Sequence, residues 1–199
     1  APKVSTVKVD GHWSSEEFIG WSYTENSKVA DANDPITIAF AEANDGKEVI
    51  LYPVYAESKP YAWAVEKADG TLRTYGDDTY FDAAVWSKIN LSAGEVFIVQ
   101  QDNICLASTV STRNASSTKT EIFNFDLNGH VLLSDWRANS SNAVSYGTFV
   151  PPANDTYNVY SSRSGGYLLD IGNESTTNYS RKGGDIFRID KKNVTLNVG

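Results

Sequence analysis

The sequence is poor in the residues that usually carry catalytic or cofactor chemistry. Its 199 residues include two histidines, one cysteine and no methionine. Because Cys105 is the only cysteine, the chain cannot form an internal disulfide. His12 and His130 lack the short spacing typical of zinc ligands. Neither a nucleophile elbow nor a phosphate-binding glycine loop occurs. The sequence therefore predicts no cofactor, no metal and no catalytic residue.

Long apolar runs and an excess of positive charge are missing as well. No apolar stretch approaches the roughly 18 residues that a membrane-spanning helix requires, so we expect no membrane insertion. The net charge of −8 repels phosphate backbones, so nucleic acid is not an expected partner.

What is present is a chain of ordinary globular composition, with 41% hydrophobic residues. A chain of this length suits one domain. We predict a single β domain over residues 1–199, with residues 1–10 as a candidate N-terminal strand arm. An alternative boundary lies near residues 151–153, where Pro151 and Pro152 interrupt the pattern.

Short segments of alternating apolar and polar residues recur along the chain, with tight-turn dipeptides between them. "EVFIVQQ" (95–101) and "TEIFNFDL" (120–127) are examples. The dipeptides Asp69-Gly70 and Asn128-Gly129 predict hairpins. No internal repeat of fixed period is evident. These features predict an all-β fold, an antiparallel β-sandwich or jelly roll.

Helix is scarce in this interpretation. Ser14 and Glu17 have the capping-box spacing and predict one or two helical turns. Residues 77–88 predict a second short helix, with Asp78 or Thr79 as its N-cap. We therefore expect one or two short helices beside the strands.

The segment "YAWAVEKADGTLRTY" (61–75) contains the clearest hairpin. Tyr61, Trp63 and Val65 fall on one face of its first strand. A face with three large apolar residues is expected to be buried, so Trp63 should point into the core.

Seven Asn-x-Ser/Thr acceptors occur, and all of them lie from Asn90 onward, with none in the first 89 residues. Such acceptors are typical of surface loops in secreted glycoproteins, but loops rich in Asn, Ser and Thr produce the same pattern without glycans. Both interpretations stay open. The candidate glycosylation sites are Asn90, Asn114, Asn139, Asn154, Asn173, Asn178 and Asn193.

Four of the five tryptophans are candidates for stacking against glycans: Trp13, Trp21, Trp86 and Trp136. A tryptophan on an alternating strand is more often part of the core. Exposed rings would favour carbohydrate binding, and buried ones would favour a structural role.

Three classes of function remain. The first is a non-enzymatic structural subunit of a surface assembly (an extracellular filament, or a virion capsid, decoration or tail component). It would form a homo-oligomer or polymer through β-strand contacts, because both termini read as strands that can add to a neighbouring sheet. The alternatives are a carbohydrate-binding module or lectin and an all-β glycoside hydrolase with two facing carboxylates. All fit an extracellular or virion-surface location with glycans as possible ligands.

Overall fold

The computed structural model describes residues 5–33, 35, 39, 46, 48–56, 59–110, 112, 120–134, 147–170, 185–187, 189 and 191–199. The chain divides into two compact units, Ala1–Pro60 and Tyr61–Gly199. The single domain over residues 1–199 and the alternative boundary near 151–153 stay predictions, because compactness alone does not show which parts fold independently.

The first unit contains two small antiparallel sheets. In one of them β2 lies between β1 and β5, and in the other β3 pairs with β4. The strands are β1 (Ser5–Val9), β2 (His12–Glu16), β3 (Phe18–Ser22), β4 (Tyr52–Tyr55) and β5 (Lys59–Pro60).

A tight hairpin joins β1 to β2. Asp10 and Gly11 have φ values of 49° and 76°, the left-handed pair that a two-residue type I′ hairpin turn requires. All five residues of β1 pair with β2. The helix predicted from Ser14 and Glu17 is therefore wrong, since Ser14 lies within β2. Within the candidate N-terminal arm, Ser5–Val9 therefore pair inside their own chain.

The second unit begins with a hairpin of β6 (Trp63–Glu66) and β7 (Leu72–Gly76). The Asp69 side chain accepts hydrogen bonds from the Thr71 N–H at 2.9 Å and from its hydroxyl at 2.6 Å. Gly70 has a φ of 81°, a value that glycine adopts without steric cost. The predicted Asp69-Gly70 hairpin is confirmed.

Trp63 points into the core, as predicted. Its side chain is 5% exposed, and its ring centroid lies 5.9 Å from those of both Phe81 and Phe97. On the paired strand, a Cβ at Gly76 would lie 2.5 Å from Trp63 Cζ2. The indole therefore occupies the space that a larger residue at position 76 would need.

One short helix, α1 (Ala83–Ile89), follows. Asp82 is its N-cap, and its carboxylate accepts hydrogen bonds from the N–H groups of Ala84 and Val85, each at 2.9 Å. The helix lies within the predicted range 77–88 except for its last residue, but it starts later than expected because Asp82, and not Asp78 or Thr79, satisfies its first N–H groups.

The remaining strands form three ladders that are parallel throughout. One contains β9-β11-β14-β17, the second β8-β10-β12-β15, and the third β13-β16. The strands are β8 (Tyr80–Phe81), β9 (Val96–Val99), β10 (Ile104–Leu106), β11 (Ile122–Asp126), β12 (Val131–Ser134), β13 (Gly147–Phe149), β14 (Thr156–Tyr160), β15 (Tyr167–Asp170), β16 (Asp185–Phe187) and β17 (Thr195–Val198).

The chain visits these ladders in a constant order. From β9, β11 and β14 the chain runs first to a strand of the second ladder and then to a third side, which contains β13 and β16. In the circuit that begins at β9 this side includes Val110, whose N–H donates to the Thr148 carbonyl on β13 at 2.9 Å. Each circuit lies beside the previous one, which is the topology of a parallel β-solenoid. We call the circuits that begin at β9, β11 and β14 the first, second and third coils; β17 begins a fourth.

The all-β prediction is confirmed, but its antiparallel part is wrong for the ladders. Antiparallel pairing occurs in the first unit, between β6 and β7, and between β6 and β9. Every described pair in which both strands belong to the three ladders is parallel. A sandwich or jelly roll is not confirmed.

The Asn128-Gly129 hairpin is also wrong. Both residues have the expected positive φ, 49° and 84°, so the turn itself was correctly located. The turn joins β11 to β12, however, and these strands belong to different ladders. At this turn the chain passes around a corner of the coil from one ladder to the next, and it does not reverse within one sheet.

Alternate residues of each ladder strand form the interior of the coils. In the first ladder Phe125 lies in register with Phe97 on one side and Val159 on the other, and all three are buried. Across the interior, the Phe125 ring centroid lies 5.1 Å from that of Phe149. The apolar alternation seen in the sequence is thus the inward face of a stack.

No helix in the described part of the chain is long and apolar enough to span a membrane.

We expect Trp63→Ala to lower the free energy of unfolding by about 3–5 kcal/mol, because it removes a buried aromatic ring from a close-packed core. Urea denaturation followed by circular dichroism measures the change. Ile122→Ala is the control, since that side chain is 48% exposed and should cost less than about 1 kcal/mol. Equal losses in both variants would contradict the role of Trp63 in the core.

Candidate functional site

The candidate site is the outer edge of β17, the last strand of the first ladder. β17 pairs with β14 on one side, and no described strand lies on its other side. The Thr195 N–H donates to the Asp155 carbonyl at 3.0 Å, and the Gly199 N–H donates to the Val159 carbonyl at 3.1 Å. The odd-numbered residues of this segment therefore direct their peptide groups toward β14.

The peptide groups of Leu196 and Val198 point the other way, because successive residues of a strand face opposite sides in the plane of the sheet. Their N–H and C=O groups have no partner among the described residues. Such an edge is a template on which another strand can add. β17 itself carries no charged residue, proline or glycine that would obstruct it.

Exposed apolar side chains accompany this edge. Ile189 and Val198 are each 60% exposed, and Tyr167 and Leu169 on β15 are 64% and 54% exposed. All four belong to the third coil or to β17. Of these four residues, Val198 lies on β17 itself, so the strand with outward-facing peptide groups also carries an exposed apolar side chain.

A row of asparagine side chains runs along the outer face of the first ladder and ends at β17. Asn158 Nδ2 donates to Asn124 Oδ1 at 2.9 Å, and Asn197 Nδ2 donates to Asn158 Oδ1 at 2.8 Å. Each amide thus joins neighbouring coils by donating to the one before. Asn197 Oδ1, at the end of the row, accepts no hydrogen bond from the described residues.

Sequence reasoning missed this asparagine row, although a signal for it exists. Each asparagine lies between two apolar residues, in "FNF" (123–125), "YNV" (157–159) and "LNV" (196–198). The spacing between these tripeptides is uneven, so a search for a fixed period does not find them. The apolar-Asn-apolar tripeptides on successive strands are the sequence signal for the row.

Carboxylates hold the corners between coils. Asp102 Oδ1 accepts the Val131 N–H at 3.0 Å, and Asp126 Oδ1 accepts the Ser162 N–H at 2.8 Å. In both cases the acid belongs to one coil and the donor to the next. The hydrogen bond from Val131 lowers the pKa of Asp102, because it stabilises the charged form.

Asp155 lies at another corner, directly before β14. It is 6% exposed, and its Oδ1 accepts the Glu121 N–H at 3.3 Å. Burial raises the pKa of Asp155 above its ordinary value, and the nearby charge of Glu121 raises it further. Burial also raises the pKa of Tyr157 to about 12; its hydroxyl lies 3.1 Å from Thr112 Oγ1.

Three predicted glycosylation sites are described, and all three occupy left-handed backbone positions. Asn90 caps the C-terminus of α1 with a φ of 43°, and Asn154 and Asn193 have φ values of 71° and 58°. Asn193 Nδ2 donates to Asn154 Oδ1 at 3.3 Å. Asparagine tolerates this conformation better than most residues, so turn geometry accounts for part of the asparagine excess. Their glycosylation stays a prediction.

The other predicted acceptors, Asn114, Asn139, Asn173 and Asn178, lie outside the described residues, as does Trp136.

Trp86 cannot serve as a stacking platform. It is fully buried, and its ring centroid lies 5.1 Å from that of Phe81 and 5.2 Å from that of Phe97. A ring that stacks on a glycan needs an open face, so this prediction is wrong for Trp86.

The two remaining tryptophans lie in the first unit. Trp13 is 9% exposed, with Lys8 Nζ 5.6 Å from its ring centroid. Trp21 is half-buried and packs edge-on against Phe18 at 5.4 Å. Neither ring presents a fully exposed face, so the row of open tryptophans that would favour carbohydrate binding is not found among the described residues.

A small crevice lies between β7 and α1, with a volume of about 220 Å³. None of the predicted site residues lines it. The buried indole N–H of Trp63 has no hydrogen-bond partner in the described structure. The lining residues are Trp63, Thr74, Tyr75, Asp78, Val85, Lys88 and Ile89.

The described residues contain no group of three His, Cys, Asp or Glu side chains that could hold a metal ion. Cys105 is a free thiol on β10 and is half-buried. His12 Nδ1 lies 2.9 Å from the Asp10 carbonyl, and His130 Nδ1 lies 3.2 Å from Asp102 Oδ1. The two histidines thus contact turn residues.

Comparison with known proteins identifies no relative: no family model, no curated protein and no solved structure matches this chain. The site must therefore be interpreted from its own geometry.

Asn158→Ala should destabilise the second unit more than Asn197→Ala. The first variant loses two side-chain hydrogen bonds and the second loses one, which corresponds to about 1–3 and about 0.5–1.5 kcal/mol. Urea denaturation of both variants measures the difference. If both variants were as stable as the wild type, the asparagine row would contribute nothing to stability.

Asp155→Asn should stabilise the protein at neutral pH. A carboxyl whose pKa is raised by folding contributes stability below its unfolded value, 3.8, and that stability is lost as the pH rises through the folded value. Asparagine keeps the acceptor for the Glu121 N–H without the buried charge. Urea midpoints at pH 3 and pH 7 should show an advantage for the variant only at pH 7. A less stable variant at pH 7 would contradict this account.

Proposed function

We propose that the protein is a non-enzymatic structural subunit of a surface assembly, extracellular or on a virion, and that it associates with copies of itself through β-strand contacts. The observation that carries this proposal is the open edge of β17. A parallel coil satisfies half of its strand peptide groups on the preceding coil and the other half on the following one. Among the described strands, β17 has β14 on one side and no strand on the other, so its outer side can accept a partner strand.

The surroundings of the edge support the same function. Val198 is 60% exposed on a strand that carries no charge and no proline. Natural proteins usually protect a free edge with lysine, proline or a bulge. An unprotected edge strand with an exposed Val198 favours association, which removes the outward-facing backbone groups and this side chain from water.

The proposed contact differs from the N-terminal arm that the sequence predicts. β1 already pairs with β2, so its pairing with another copy would require the hairpin to open. β17 requires no such change. Carbohydrate binding receives less support, since Trp86 and Trp13 are buried. No observation favours a glycoside hydrolase.

Val198→Pro should abolish association and leave the fold intact. Proline removes the outward-facing N–H of residue 198 and is tolerated on an edge strand, while the hydrogen bonds of Thr195 and Gly199 to β14 remain. Val198→Thr is the matched control, because it keeps the N–H and nearly the same shape. Analytical ultracentrifugation over a wide range of concentrations should find oligomers of the wild type and of Val198→Thr, and monomers of Val198→Pro.

Thermal melting of the three proteins verifies that each is folded. A wild type that is monomeric at every concentration would refute self-association. If Val198→Pro associates as the wild type does, β17 is not the contact.

A further inference from the structure

The crevice between β7 and α1 contains a buried hydrogen-bond donor that the protein does not satisfy. Trp63 forms part of the crevice wall and is 5% exposed, and its Nε1 has no hydrogen-bond partner among the described residues. A buried donor without an acceptor is costly, and native proteins contain few of them. A molecule held in the crevice can supply the acceptor.

The nitrogen side of this indole lies against Gly76 of β7. A Cβ at position 76 would lie 3.0 Å from Trp63 Nε1. Gly76 lies in the chain between Tyr75 and Asp78, which both line the crevice. Its φ is outside the left-handed region, so the backbone conformation does not require glycine there. Glycine at this position instead leaves room beside the indole nitrogen.

Two opposite charges lie at the rim of the crevice. The carboxylate of Asp78 and the ammonium group of Lys88 both line it, and both residues are exposed. Neither side chain has an ion-pair partner in the described part of the chain. A simple anion would be attracted by Lys88 and repelled by Asp78, and a simple cation would meet the reverse. A small molecule that carries both charges complements the rim.

The rest of the crevice limits the size and polarity of its occupant. Val85 is half-buried and Ile89 is buried, so α1 contributes an apolar wall. The volume of about 220 Å³ equals that of about seven water molecules, at about 30 Å³ each. Sites for drug-sized ligands are larger, about 300–1,000 Å³. The crevice therefore suits a small molecule with a short apolar side chain.

We propose that this crevice binds a free α-amino acid with a short apolar side chain. The carboxylate of the amino acid accepts hydrogen bonds from Trp63 Nε1 and from Lys88, and its ammonium group donates to Asp78. The apolar side chain lies against Val85 and Ile89. This binding is a further activity of the second unit, and it does not depend on self-association through β17.

Titration of the ¹⁵N-labelled full chain with leucine, followed by NMR, tests the site directly. Indole N–H groups give cross-peaks separate from the backbone, and the chain has five tryptophans. The Trp63 cross-peak is identified by its loss in Trp63→Phe, which keeps an aromatic ring and removes the N–H. We expect this cross-peak to shift as leucine is added up to about 100 mM, a range that detects millimolar dissociation constants. A Trp63 cross-peak that does not move overturns the proposal.

Trp86→Phe is the matched control for the indole donor. Trp86 is also buried and its Nε1 also lacks a partner among the described residues, but Trp86 does not line the crevice. The affinity for leucine should fall about tenfold or more in Trp63→Phe, because a hydrogen bond to a charged group is lost. It should stay within about twofold of the wild type in Trp86→Phe. Circular dichroism verifies that both variants fold, and equal losses in both would contradict the role of the Trp63 N–H.

Analogues of leucine test the two charges on the wild type. Leucine amide lacks the carboxylate, and N-acetylleucine lacks the ammonium group. Each should bind at least about tenfold more weakly than leucine, because each loses hydrogen bonds to a charged group. If either analogue binds as tightly as leucine, the occupant is not a zwitterion. Glucose is the uncharged probe, and tighter binding of glucose than of leucine would assign the crevice to a polyol and overturn the proposal.

Variants at the rim assign each charge to its partner. Lys88→Gln should reduce the preference for leucine over leucine amide by about threefold or more, and Asp78→Asn should reduce the preference over N-acetylleucine similarly. Lys191→Gln is the matched control, since Lys191 is exposed and does not line the crevice; it should leave both preferences unchanged. Preferences that are the same in all three variants would refute the assigned contacts.

Discussion

A parallel coil cannot satisfy its own backbone, and the second unit is organised around that constraint. β9 and β10 pair with β6 and β8, which precede the first coil, and with the second coil; the later ladder strands pair with strands of neighbouring coils. Buried peptide groups without partners are costly, so consecutive coils must stack in register. The same stacking aligns the inward aromatic residues, the outward asparagines and the corner carboxylates. Among the described strands β17 has a partner on one side only, and its other side is where the proposed contact lies.

The local elements were predictable from the sequence because their signals are local. The Asp69-Gly70 turn, the burial of Trp63 and the position of the short helix all depend on neighbouring residues. The direction of strand pairing was not predictable, because an inward-outward alternation is the same in a sandwich and in a solenoid. The coil repeat was hidden by its irregularity: Val96, Asn124, Asn158 and Asn197 occupy equivalent positions but are 28, 34 and 39 residues apart.

The candidate site was harder to predict from the sequence than the direction of strand pairing. The sequence predicts a strand at the C-terminal end of the chain, but only the pairing shows that β17 lies at an edge of the described sheet. The asparagine excess was interpreted as a question of glycosylation. Among the described residues, six of the seven non-glycine residues with positive φ are asparagines, and three more form the row along the first ladder. Asparagine serves here both as a left-handed turn residue and as a hydrogen-bonding link between neighbouring coils. The propensity of a single asparagine does not tell either role from that of a glycan acceptor.

The antiparallel junction of β6 with β9 determines the order in which the second unit can be built and dismantled. The β6–β7 hairpin closes over the short connection 67–71, whereas each later step joins positions far apart in the chain. Contacts close in sequence form faster than distant ones, so the hairpin is the natural seed and the coils are added in chain order, as synthesis delivers them. Tension applied to the C-terminal end would reverse that order. It would peel β17 from β14 and then release one coil at a time, so the unit would yield in small steps and not in a single rupture.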